Sequence, residues 1–261
     1  MPGTSIASLW PRLRREAASQ QKKEPLLASY LHASIIGHKK FSDALGYVLA
    51  NKLAEPSLGA VQIWELFSHA HRDNPVLAVC ALKDLAAILQ RDPAVRTATQ
   101  AFLYLKGFHA LQAYRVGHVL WTTGRHALAY HLQSRISEAL GVDIHPAAVI
   151  GSGVMMDHAT GVVIGETAVV GNDVSMLHGV TLGGTGKETG DRHPKIGNGV
   201  LLGTDCHVLG NIKIGAGAKI AAGSVVLEDV APHITVAGVP AKPVCRSVGV
   251  PGKTMNQTIE G

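Results

Sequence analysis

The period of the hydrophobic positions changes near residue 141 and divides the chain into two kinds of structure. From about residue 8 to residue 140, apolar residues recur three and four apart, as in 25–36, 76–89 and 111–120, the spacing that lines one face of an α-helix. Breaks fall at Asp73-Asn74-Pro75 and Asp92-Pro93, where a capping side chain precedes a proline tolerated only in the first helical turn. Residues 1–140 are therefore expected to form an all-α domain.

Beyond Val142 a repeat of six residues takes over. Apolar residues stand at Ile144, Ile150 and Met156, at Ile164, Val170, Met176 and Leu182, and at Ile196, Leu202, Val208, Ile214, Ile220 and Val226, often followed by glycine. Each hexapeptide makes a short strand and a turn, and three close a triangular coil whose inward aliphatic residue stacks on its equivalent below. The fold class is α+β, with a parallel β-helix over 141–246. The register slips by two residues between Met156 and Ile164 and again between Leu182 and Ile196. There the polar, glycine-rich segment 184–195 cannot fill an inward strand and should protrude as a loop. Residues 247–261 read as a mobile tail.

Composition sharpens this picture. The 261 residues are 46% hydrophobic but only 5% aromatic, with 29 glycines, which matches a core of small aliphatic side chains beside tight turns. No apolar run is long enough to span a bilayer and no cleavable leader pattern is present, so a cytoplasmic protein without a membrane partner is expected. Cys80, Cys206 and Cys245 are far apart and odd in number, which suggests reduced, structural thiols. The net charge of +5 is spread along the chain, which disfavours nucleic acid and suits a small polyanion such as a nucleotide-bearing cofactor.

Candidate chemistry gathers where the repeat slips. His158 could act as a general base if Asp143 or Asp157 held its other ring nitrogen; an ordinary turn histidine fits the same residues. Arg192 and His193 suit anion recognition, since a guanidinium forks onto a carboxylate, and a solvated loop is the alternative. Among 14 histidines no HxxxH or HxxxxH pair lies within the repeats, which argues against a zinc site; His145 and His207 are expected at solvent-facing turns.

With Asp157-His158-Ala159-Thr160-Gly161, Gly165-Glu166-Thr167-Ala168, Val180-Thr181-Leu182-Gly183-Gly184-Thr185-Gly186-Lys187 and Asp191-Arg192-His193-Pro194-Lys195-Ile196-Gly197 in view, the chain closely resembles serine acetyltransferases of the hexapeptide-repeat superfamily. The resemblance implies a left-handed β-helix, acetyl-CoA as co-substrate, no metal, and acetyl transfer to the hydroxyl of L-serine in the first step of cysteine biosynthesis. It implies His158 as the base that lets serine attack the thioester directly, supported by Asp143. Asp92 and Asp157 would take the substrate's ammonium group, and Arg192 and His193 its carboxylate; Asp92 equally suits a helix cap. The cofactor would run along Gly184, Thr185, Gly203, Thr204, Lys219 and Ala222, with Lys242 near its phosphates. The resemblance also implies trimers joined into hexamers and inhibition by L-cysteine. O-acetylserine sulfhydrylase, which binds many members through a terminal isoleucine, is in doubt as a partner because this sequence ends Thr258-Ile259-Glu260-Gly261.

Overall fold

The structure, a computed structural model, describes residues 5–186 and 189–259. Lys187 and Glu188 of the expected loop, and the terminal Glu260-Gly261, lie outside the described residues. The chain forms two compact units, Met1–Leu105 and Lys106–Gly261.

In the first unit, α1 (Ile6–Lys23) buries Leu9, Leu13 and Ala17, four residues apart on one face. Residues 25–36 change pitch as they go, from a 3-10 turn through α2 (Ala28–Leu31) to a π turn, where the sequence reads as one helix. Four helices complete the unit: α3 (Phe41–Leu53), α4 (Ala60–Asp73), α5 (Val76–Arg91) and α6 (Ala98–Tyr104). Phe41 and Phe102 pack 5.6 Å apart in its core. Pro75 stands immediately before α5, as expected, but Pro93 opens no helix. Asp92 closes α5 instead, its Oδ1 accepting the Ala94 N–H at 2.8 Å, and the next helix begins only where Thr97 caps the Gln100 N–H at 3.1 Å.

The second unit opens with two more helices, α7 (Lys106–Thr122) and α8 (His126–Leu140). Helical residues thus reach Leu140, yet the last two helices form one compact unit with the coil. Gly141, at φ 66°, ends α8 in the left-handed conformation that favours glycine. Three parallel sheets follow. The first face stacks β1 (Val142–Ile144), β4 (Val162–Ile164), β7 (Thr181–Gly183), β10 (His207–Leu209) and β13 (Val225–Val226). The second stacks β2 (Val149–Ile150), β5 (Val169–Val170), β8 (Lys195–Ile196) and β11 (Lys213–Ile214). The third stacks β3 (Met155–Met156), β6 (Ser175–Met176), β9 (Leu201–Leu202), β12 (Lys219–Ile220) and β14 (Ile234–Gly238), and ends on the antiparallel β15 (Ala241–Arg246). The whole is a left-handed parallel β-helix. Every apolar position of the six-residue repeat is buried, and the register stacks Ile150 on Val170, Ile196 and Ile214, and Met156 on Met176, Leu202 and Ile220.

The first coil leaves carbonyls without a coil beneath them, and α7 satisfies several. Tyr114 Oη donates to the Ala148 carbonyl, Arg115 to those of Ile150 (3.1 Å) and Gly151 (2.6 Å), and His118 Nδ1 lies 2.8 Å from that of Pro146. Close approach of α7 needs Gly107, where a Cβ would meet the Met156 carbonyl oxygen at 2.2 Å.

Residues 247–259, expected as a mobile tail, touch the coil at several points. The short helix α9 (Pro251–Thr254) buries Pro251 and Gly252. The Gly252 N–H donates to Gly199 O at 2.8 Å, Ser175 Oγ donates to Gly252 O at 2.6 Å, and Lys253 pairs with Asp173 at 3.0 Å.

Candidate active site

The two extra residues between Met156 and Ile164 enlarge the corner joining the third face to the first. His158 and Ala159 both adopt positive φ there, 55° and 62°, a region that costs a non-glycine residue about 1–3 kcal/mol. The turn thrusts the His158 ring outward, its side chain 74% exposed, with Nε2 3.9 Å from Asp157 Oδ1. Asp143, on β1, is not paired with that ring: its Oδ1 accepts from Gln133 Nε2 of α8 at 2.7 Å. The carboxylate brought to the imidazole is that of Asp157.

Above His158 the same corner repeats coil by coil. Gly179 N–H donates to Thr160 O (2.8 Å), Asp205 N–H to His178 O (3.0 Å), and Gly223 N–H to Thr204 O (2.8 Å). His158, His178, Gly203, Thr204 and Ala222 therefore form one column, and three of the residues expected along the cofactor join the expected base. The His178 ring stands edge-on to His158, centroids 5.9 Å apart.

Arg192 and His193 belong to a different corner, between the first and second faces. Thr167 organises them: its Oγ1 accepts the N–H groups of Arg192 (3.0 Å) and His193 (3.1 Å), and its own N–H donates to His193 Nδ1 at 3.2 Å. The neutral His193 ring thus carries its proton on Nε2. His193 is only 7% exposed, and burial, helped by the nearby Arg192 charge, lowers its pKa. Glu166 binds Arg192 at 2.7 Å, and that hydrogen bond holds the Glu166 carboxyl below its ordinary range. Lys195 Nζ clasps the loop, donating to Asp191 Oδ1 (2.5 Å), His193 O (2.6 Å) and Thr167 O (3.0 Å). One six-residue face separates this corner from that of His158, about 20 Å at ~3.3 Å per residue.

The remaining expected residues scatter. Gly184 and Thr185 leave the prism at the loop's start, beside Arg192 and Gly210 respectively. Lys219 is buried on the third face and donates to Thr258 O at 2.8 Å, so the C-terminal segment covers it. Lys242 is exposed on β15, 3.5 Å from Glu228. Asp92, in the helical unit, has one oxygen engaged by its cap. His145 does not face solvent as expected; it is half-buried against Trp121 and Tyr130, at 5.1 and 5.7 Å, and burial lowers its pKa. Sequence reasoning quoted Glu166 and Thr167 in a motif without giving them a task, and gave none to His178 or Gln133. Their partners lie 10 to 26 residues away along the chain and meet only through the coil's register. Among the described residues, no group of three or more His, Cys, Asp or Glu is arranged to hold a metal ion, and no helix is long and apolar enough to cross a membrane.

The N-terminal domain model of serine acetyltransferases matches residues 9–113, and the bacterial transferase hexapeptide model, of six repeats, matches residues 193–228. The serine acetyltransferase of Salmonella typhimurium is 53% identical over 252 residues, 97% of this chain and 91% of that protein. Among solved structures, a serine acetyltransferase in complex with cysteine superposes with a TM-score of 0.96 at 50% identity, covering 98% of this chain and 100% of the other. That of Brucella abortus strain S19 in complex with coenzyme A gives 0.91 at 46% identity (92% and 96% covered), and the soybean protein complexed with serine gives 0.89 at 52% (90% and 97%).

Proposed function

The chain belongs to the serine acetyltransferase family, and we propose that it transfers acetyl from acetyl-CoA to L-serine in a site that two copies of the chain complete together. The observation that carries this reading is the distribution of the expected site over two corners of one prism. The base column and the carboxylate-binding pair are a full face apart within a chain, so they can serve one small amino acid only across a cleft between copies. Cyclic trimers, paired through the helical units into hexamers, supply such clefts.

In that cleft the His158 imidazole takes the proton from serine Oγ as the oxygen attacks the thioester carbonyl carbon. The tetrahedral intermediate collapses by breaking the C–S bond, and the departing CoA sulfur takes the proton back from the imidazolium. Asp157 steadies that imidazolium and the substrate ammonium. Asp143, tied to Gln133, reaches the ring only if the Gln133 bond yields or through a bridging water. Arg192 exchanges Glu166 for the substrate carboxylate, with His193 Nε2–H as a second donor. The pantetheine arm lies along Gly203, Thr204 and Ala222, where small residues let it approach the backbone, and Lys242 takes a phosphate. Cysteine, with serine's shape and charges, competes for the amino-acid pocket; relatives solved with cysteine, serine and coenzyme A support these ligands.

Release of CoA, followed with and without L-serine, tests the reaction: His158→Ala should abolish the serine-dependent part. Co-expressing His158→Ala with Arg192→Ala tests the shared site. Random mixing restores about a quarter of the sites if each draws on two copies, and none if a single chain holds both residues.

A further inference from the structure

The helical unit holds a cavity of about 430 Å³ between α3, α4 and the start of α5, and the reaction above gives it no task. Its size falls within the roughly 300–1,000 Å³ of small-ligand sites. Hydrogen-bond acceptors line its inner part. His71, on α4, is only 7% exposed, and its Nδ1 lies 2.8 Å from the Phe67 carbonyl one turn earlier. That contact needs the proton on Nδ1, so the neutral ring keeps its lone pair on Nε2, and burial favours this neutral form. Nε2 has no hydrogen-bond partner among the described residues. Ser68, three residues before His71 on the same helix, has its Oγ buried without a partner. Asp43, on α3, lies close enough to act on the charge of the His71 ring, and its carboxylate accepts only a long bond from Ser42 Oγ, 3.4 Å, among the described residues.

The rim carries the opposite sign. Lys40 and Arg72 are both exposed; Lys40 has no ion pair among the described residues, and Arg72 pairs only loosely with Asp73, at 3.8 Å. A lone anion entering this cavity would meet a carboxylate and a ring lone pair behind the two cations, and a lone cation would have to pass those cations first. A zwitterion answers both. We infer that the cavity binds a free α-amino acid with a short side chain, its ammonium donating to Asp43, His71 Nε2 and Ser68 Oγ and its carboxylate held by Lys40 and Arg72. The three N–H groups of an ammonium match the three acceptors, and a guanidinium is suited to a carboxylate. Pro75 and Ala78 form the apolar wall against which the side chain rests.

Calorimetric titration of L-alanine, L-serine and L-cysteine into the full-length Arg192→Ala protein tests this, since that substitution removes the carboxylate anchor of the proposed reaction site. One amino acid per chain should still bind. Sodium acetate and ethylamine, each carrying one of the two charges, should bind more weakly than L-alanine by about tenfold or more. Adding Asp43→Asn or Arg72→Met should weaken L-alanine by about tenfold in each case. Arg72 is exposed, so Arg72→Met decides alone should Asp43→Asn not fold. No binding of any of the three amino acids, binding untouched by Asp43→Asn and Arg72→Met, or acetate or ethylamine binding as tightly as L-alanine would each overturn the assignment. The result is independent of the chemistry at His158, so a failure of the proposed reaction leaves this site standing, and the reverse holds too.

Discussion

Replacing Gly165 by alanine should damage the proposed amino-acid site while leaving the coil intact. The His193 ring lies over Gly165, where an added Cβ would sit 2.1 Å from ring atoms Cδ2 and Nε2. Ordinary contact begins near 3.4 Å, so the ring must retreat by about 1.3 Å. Gly165 is not among the positive-φ glycines, so alanine meets no backbone penalty and the perturbation is the collision itself. Displacing the ring breaks its bonds to Thr167 and shifts Arg192, which hangs from the same hydroxyl. A misplacement of about 1 Å costs on the order of 100-fold in turnover, or about 2.7 kcal/mol of transition-state stabilisation. Steady-state CoA release should show kcat/KM for serine falling by that order and KM for acetyl-CoA nearly unchanged. A variant that turns over within threefold of wild type, with an unchanged unfolding midpoint, would refute the idea that this contact positions the carboxylate site.

Two further outcomes follow from the packing. In Gly252→Ala the new Cβ would meet backbone oxygens of Asp173 and Val200 at 2.4 and 2.8 Å, so the C-terminal segment should lift off the coil and become cleavable beyond Arg246 in limited proteolysis; wild-type resistance would contradict the docking described. Burial is the main cause that lowers the pKa of His71, His145 and His193, so as pH falls through their ordinary value of 6.5 the unfolded chain binds protons first and stability is lost until the lower folded values are passed. The unfolding midpoint should drop between pH 7.5 and 5.5 and drop less in His145→Gln; a midpoint that rises on acidification would contradict the sign.

The β-helix was legible because its rule is local: an aliphatic residue every six positions stacks on its counterpart, and Ile150, Val170 and Ile196 obey it whatever happens elsewhere. His158 stood out for breaking that rule. What escaped depends on distance along the chain. Glu166 and Arg192 are partners only because the eight residues added in the third coil bring the loop back over the preceding corner, a return that no short-range pattern announces. The docked end escaped for a related reason: Pro251-Gly252-Lys253-Thr254 reads as a turn in a polar tail, and its fit depends on coil carbonyls 50 to 80 residues earlier. Pro93 misled because Thr97, four residues on, caps the helix that follows.

A stack of parallel strands is open at both ends and could in principle grow by adding a neighbour's coil to its own, the route by which solenoids polymerise into fibres. Here both terminal rungs are spoken for on at least one face. Beneath the first coil, Tyr114, Arg115 and His118 occupy carbonyls that an incoming strand would need. Above the third face, β15 runs the opposite way and carries Pro243, which has no N–H to offer, next to a register shift. These plugs set the number of coils by the gene and not by concentration, leaving the flanks of the prism as the surfaces through which copies can meet.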